Sequence, residues 1–153
     1  MTFHGVMGKN AIAAYSTGTY ASPVWVTIVA ARDIAVSLGK NMGTVTSRES
    51  DWELKGAGFK TASVTMSYLH EPTTDTVFDK LLDSYIADTP VDMIFADGAV
   101  ATTGNQGLRA HFIVSDMSQS QDMEDPIMFD FTFDVTLFND GGILRPPEWW
   151  SAA

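Results

Sequence analysis

Cysteine is absent from this chain of 153 residues. That excludes disulfides, iron–sulfur clusters, thiolate zinc sites and cysteine nucleophiles. Long apolar runs are missing too: no stretch approaches the roughly 18 residues of a membrane-spanning helix. The opening Met1-Thr2-Phe3-His4-Gly5 lacks the basic residues and apolar run of a secretory signal, which argues against one. Positive charge is scarce, with 9 Lys and Arg against 19 Asp and Glu and a formal net charge of −10. A chain this acidic gains little by neutralising phosphates, which argues against a nucleic-acid binder. The three histidines, His4, His70 and His111, lie far apart and in no metal motif. His111 alternates with Ala110 and Phe112 and reads as a surface histidine facing away from the apolar side. No Gly-x-Ser-x-Gly elbow occurs, and Gly56/Gly58 and Gly104/Gly107 read as turns rather than phosphate loops.

What remains is a well-stocked core. Apolar residues make up 45% of the chain, with 4 Trp and 9 Phe, enough for one ordered domain. Charge is skewed along it. Residues 1–70 carry six basic and four acidic side chains, a net +2; residues 71–153 carry three and fifteen, a net −12.

Alternation dominates the pattern. Ala62, Val64, Met66 and Tyr68 share one face of a strand whose other face is Thr61, Ser63, Thr65 and Ser67. Residues 127–138 alternate even more cleanly. Ile127, Phe129, Phe131, Phe133, Val135 and Leu137 oppose Met128, Asp130, Thr132, Asp134, Thr136 and Phe138. Such a strand would be about 40 Å long. Further strands are expected at residues 25–30, 33–38, 45–48, 91–96 and 108–117. One segment switches period: Val77, Phe78, Leu81, Leu82, Tyr85 and Ile86 recur at helical spacing, so a helix is expected over 74–88, capped by Thr73 or Thr74 and ended by Thr89-Pro90. Residues 1–22 are small and polar and read as an N-terminal arm, and 143–153 as a C-terminal arm. Between them, 23–142 form the domain. The class is mainly β: a sandwich or barrel of about seven strands with one flanking helix.

No catalytic, cofactor-binding or metal-binding residues stand out. Asp122, Glu124 and Asp125 share a loop, but their spacing matches no calcium loop and reads as a solvated acidic turn. Asp130 and Asp134 would sit about 13 Å apart along one strand face, too far for a glycosidase pair at about 5–9.5 Å. Adjacent Trp149 and Trp150 are costly to leave in water, so they are expected to anchor the terminal arm on this subunit or a neighbour.

The order of elements resembles that of tail tube proteins (major tail proteins) of long-tailed bacteriophages. Trp25 and Asp33-Ile34 precede Thr44-Val45-Thr46-Ser47-Arg48 and Trp52. Gly56 then leads to Phe59-Lys60-Thr61-Ala62-Ser63-Val64 and a helix containing Phe78-Asp79-Lys80-Leu81-Leu82. Gly107 to Ser120 and the long acidic-flanked strand follow. The resemblance covers roughly residues 23–138 and excludes the double-tryptophan tail. It implies a non-enzymatic virion subunit, assembled in the host cytoplasm, whose six copies form rings that stack around a lumen conducting DNA. Tape-measure and tail-tip or terminator proteins would be its partners. Segment 40–58, with Arg48, Asp51, Trp52 and Lys55, would reach the next ring. Asp130, Thr132 and Asp134 would face the lumen and repel phosphates over roughly 8 Å at physiological salt; the opposite orientation would put them outside the tube. Two alternatives stand beside this: the tube of a contractile injection or secretion system, and a ligand-binding β-sandwich using exposed aromatics. A hydrolase with scattered carboxylates has no motif behind it.

Overall fold

Alternating apolar and polar residues become antiparallel strands wherever one face meets a core. The computed structural model describes residues 11–45, 47–49, 51–70, 76–121, 123–124 and 126–151. Their order is β1 (Ile12–Ser16), β2 (Trp25–Thr27), β3 (Ala31–Thr44), β4 (Lys55–Leu69), α1 (Thr76–Ala87), β5 (Val91–Ala96), β6 (Gln106–Ser120), β7 (Met128–Val135), β8 (Phe138–Asp140), β9 (Ile143–Arg145) and β10 (Glu148–Ser151). The main sheet runs β2-β1-β5-β6-β7-β4-β3, with β10 also pairing β6, and β8-β9 form a separate hairpin. All of its pairings are antiparallel.

Connectivity forces this sheet to curl. β2 and β3 stand at opposite ends of the strand order, yet only residues 28–30 join them. Six spacings in a flat sheet would separate them by about 29 Å, while the link reaches about 14 Å. The edges must therefore approach one another. The link bonds to both sides: Ile28 N–H donates to Ala13 O at 2.8 Å, and Leu69 N–H donates to Ala30 O at 3.1 Å. A register shift between Arg32 and Ala35, with Asp33 at φ 43°, bends β3 at its start.

Inside the curl lies an aromatic core. Phe129, Phe131 and Phe133 line one face of β7, with successive ring centroids 6.1 and 6.0 Å apart. Val64, Met66 and Tyr68 from β4 and Phe112 and Val114 from β6 join them, all buried. α1 covers this face through Leu81, Val77 and Phe78, whose ring lies 4.7 Å from that of Phe129. The far part of the expected helical stripe does not pack, since Tyr85 and Ile86 are exposed. Asp88, at φ 55°, ends the helix in the left-handed region, and Ser84 Oγ donates to Thr89 O at 2.8 Å. The expected caps Thr73 and Thr74 lie outside the described residues.

Three expectations are corrected. Residues 12–16 are not an extended arm; they form β1, bonded between β2 and β5, with Ala13, Ala14 and Tyr15 buried. Small side chains there reflect tight packing, which composition alone does not distinguish from a solvated arm. The strand expected over 127–138 ends at Val135. Thr136 N–H still bonds His111 O at 2.8 Å, after which the chain turns away into β8. The strand expected at 33–38 is longer: β3 runs through Gly39 and Gly43 to Thr44, just before the strand expected at 45–48. Within the C-terminal arm expected over 143–153, Glu148–Ser151 form β10, which pairs with β6. That pairing puts Gly107 between Ala96 and Trp150. A Cβ at Gly107 would meet the Phe95 carbonyl oxygen and lie 2.6 Å from Ala96 Cα, so the close approach requires glycine.

Candidate assembly surfaces

The polar side of the sheet forms a continuous band. Asp130, Thr132 and Asp134 on β7 stand opposite Ser67, Thr65 and Ser63 on β4, and opposite Ser118, Asp116 and Ile113 on β6. Cross-strand partners share a face, so two rungs consist of hydroxyls and carboxylates alone. Ser67 Oγ donates to Asp130 Oδ1 at 2.9 Å. Among the described residues, Asp116, Asp130 and Asp134 have no salt-bridge partner. The three residues expected to face a lumen thus share an exposed, acidic, hydroxyl-rich face.

Beyond the body, β3 and β4 continue alone. β7 reaches only to Ser63 of β4. Residues 55–62 of β4 have β3 as their sole strand partner among the described residues, and this arm projects about 26 Å. Its ladder satisfies the backbone, while side chains on both faces meet solvent. Trp52 is 78% and Phe59 85% exposed, and Leu38, Met42, Val45 and Leu54 are exposed as well. Arg48, Asp51 and Lys55 sit on the same arm, also exposed. Apolar side chains gathered in this way mark an interaction surface.

The tail is anchored on its own chain. Trp150 packs with Ile12, Trp25 and Val100 over Ala14, Ile94 and Ala96, a small second core on the outer face of the sheet. Trp149 points the other way, and its Nε1 donates to Gln106 Oε1 at 2.8 Å.

Beside them lies a cluster that sequence reasoning missed. Arg109 Nη2 bonds Asp92 Oδ2 at 2.8 Å and Tyr20 O at 3.0 Å, and Glu148 approaches Nη1 at 3.8 Å. The Arg109 guanidinium also lies over the Tyr20 ring at 4.1 Å and the Trp25 ring at 5.0 Å. Burial works against its charged form, but the hydrogen bond and charge of Asp92 prevail and raise its pKa. His111 does point away from the apolar face, yet it is not a surface histidine. Phe138 stacks on it at 4.0 Å and Tyr20 at 6.0 Å, leaving it 5% exposed. Burial pushes its pKa below the ordinary value, Arg109 pushes the same way, and Asp92 and Asp140 oppose. Burial, then the hydrogen bond with Glu148, raises Tyr20. The cluster pins residues 17–24, the β8-β9 hairpin and β10 onto β5 and β6. No local motif reveals it, because its members come from five separate stretches. Among the described residues, no group of three or more His, Asp or Glu side chains could hold a metal.

This fold is shared with chains of solved phage-tail and injection-system structures. A structure of the SPP1 tail tube matches with a TM-score of 0.70 at 12% identity, covering 86% of this chain and 76% of that one. The tail of the empty gene transfer agent particle, refined with C6 symmetry, matches with a TM-score of 0.64 at 16% identity, covering 92% and 97%. The anti-feeding prophage baseplate contains a chain matching with a TM-score of 0.61 at 6% identity, covering 99% of each. No protein-family model and no curated protein sequence matches the chain.

Proposed function

We propose that this chain is the structural subunit of a tail tube, assembling as stacked rings of six around a lumen that conducts DNA. The observation that carries the reading is the β3-β4 arm: a two-stranded projection with exposed apolar side chains, on a fold shared with a solved tail tube. An isolated subunit gains nothing from keeping Phe59 in water, whereas a neighbouring copy would cover it. Arg48, Asp51, Trp52 and Lys55 would then meet the next ring. The C6 symmetry of the gene transfer agent tail supports six copies. Closing the ring would cover the sheet edges at β2 and β3, which have no further strand partner among the described residues. In this reading the protein is a virion component without catalytic activity, and its partners are further copies, a tape-measure protein and terminator or tip proteins.

The acidic band of Asp130, Thr132 and Asp134 would line the lumen and keep phosphates from adhering. Replacing Asp130 and Asp134 with lysine is expected to leave tubes intact while impairing DNA delivery; unchanged delivery would remove the band from the lumen. A second reading, the tube of a contractile injection system, draws on the end-to-end match with the anti-feeding prophage chain. The two part on cargo, because only a DNA-conducting tube should be sensitive to charge reversal in this way. The ligand-binding sandwich loses its main support, since β10 turns Trp149 and Trp150 to opposite faces and leaves no paired aromatic platform. Negative-stain microscopy beside the size-exclusion mass tests the tube reading. Rings or hollow tubes of uniform diameter are expected. A monomer that stays monomeric with its tail-tip complex supplied would overturn it.

A further inference from the structure

At the root of the arm, where β7 ends and β10 begins, a groove of about 860 Å³ opens between the two halves of the sheet. Leu38, Ala62, Leu108, Val135 and Trp149 give it apolar walls. Lys40 and Lys60 also line it, and they stand directly opposite each other across the β3-β4 ladder. Like charges in that position repel. Asp134 and Glu148 border the same groove, but among the described residues neither lysine is within salt-bridge distance of a carboxylate. Glu148 is directed instead to Arg109 and Tyr20. The groove therefore offers an apolar slot beside two cations that no carboxylate among the described residues neutralises.

The opposite end of the molecule carries the complement. β7 spans about 26 Å, from Val135 at the groove to Met128 at the far end. The β6-β7 loop there presents Met123, fully exposed, next to exposed Glu124. From Asp116 to Pro126 the sequence has four acidic residues and no Lys or Arg. Resting on the tube reading, we propose that the β6-β7 loop of one copy docks in the Lys40–Lys60 groove of the next. Met123 enters the apolar slot and Glu124 meets the lysine pair. Because slot and plug lie at opposite ends of the strands, the contact is head-to-tail and extends without closing on itself, as successive rings require.

The cysteine-free chain allows a direct test. In a Leu38→Cys/Met123→Cys variant, mild oxidation of assembled tubes is expected to give a ladder of disulfide-linked multimers on a denaturing gel. Each single-cysteine variant should give no ladder. Charge reversal supplies the second arm. Lys40→Glu/Lys60→Glu is expected to form rings that do not stack, and adding Glu124→Lys should restore tubes. Circular dichroism confirms that each variant is folded. Normal tubes without a ladder, or stacking indifferent to the lysine reversal, would overturn the docking and leave the tube reading standing. A wild-type chain that never forms rings or tubes would overturn both.

Discussion

The same two strands behave in opposite ways at their two ends. Where β4 lies beside β7, every second residue is sealed: Val64, Met66 and Tyr68 are buried beneath Phe131 and Phe133. A few residues earlier on the same strand, Phe59 stands in solvent. Both stretches lie on the same hydrogen-bonded ladder, although residues 55–62 hold Phe59 among two lysines and two glycines. What differs is the presence of a third strand and a helix on the core face. Burial is thus decided by what a strand packs against, and the arm keeps apolar side chains that nothing among the described residues covers.

The sharpest way to break the comparison is from the buried end. Phe131→Ala removes a ring that contacts Tyr68, Phe78, Phe129 and Phe133. It is expected to lower unfolding stability by about 3–5 kcal/mol, read as a shift of the urea midpoint. A loss under about 1 kcal/mol would mean that the aromatic row is not the core of the isolated subunit.

Next in size is the outer-face cluster. Arg109→Met leaves the Asp92 carboxylate, whose side chain is 10% exposed, without its cation. A cost of about 3 kcal/mol is expected. Replacing Asp92 with leucine in the same chain should recover much of it, because the buried charge disappears. Failure of the double variant to recover would mean that Arg109 acts chiefly by packing on Tyr20 and Trp25.

A smaller effect follows from His111. Its pKa is depressed in the folded chain, mainly by burial, so the unfolded chain takes up the proton first. Between the ordinary value of about 6.5 and the lower folded value, the unfolded state binds more protons, and stability rises with pH. Stability is therefore expected to fall as pH drops below about 6.5 and to level off below the folded value. In His111→Phe, which can still stack on Phe138, this part of the pH dependence should vanish. An unchanged slope would assign it to other groups.

These contrasts also explain what was legible in the sequence. β4, β7 and α1 were readable because each carries a one-sided pattern, and the acidic face of β7 followed from the same alternation. β1 was not, because Ala13 and Ala14 are small enough to pass for a solvated arm. The end of β7 was misplaced because Leu137 keeps the alternation past Val135, although it is exposed and the chain there has already turned toward β8, where Phe138 stacks on His111. The Arg109 cluster was invisible because its partners Tyr20 and Asp92 lie 89 and 17 residues away. The groove was invisible for a related reason: it exists only because β10 continues the line of β7 along β6.

The smallest effect on stability bears most directly on the difference between the two ends. Phe59→Ser is expected to change the unfolding free energy of the isolated subunit by no more than about 0.5 kcal/mol, as for other surface positions. The side chain is already in water in the folded monomer, so removing it forfeits no burial. If a neighbouring copy covers the arm, the cost appears on assembly, and the variant should fold normally yet form few or no tubes. Stability measured by urea and assembly measured by sedimentation would then separate cleanly at Phe59 while moving together at Phe131. A Phe59→Ser subunit as unstable as Phe131→Ala would mean that the arm folds back onto its own body in solution. One that is stable and assembles normally would move the covered part of the arm elsewhere, toward Trp52 and Leu54.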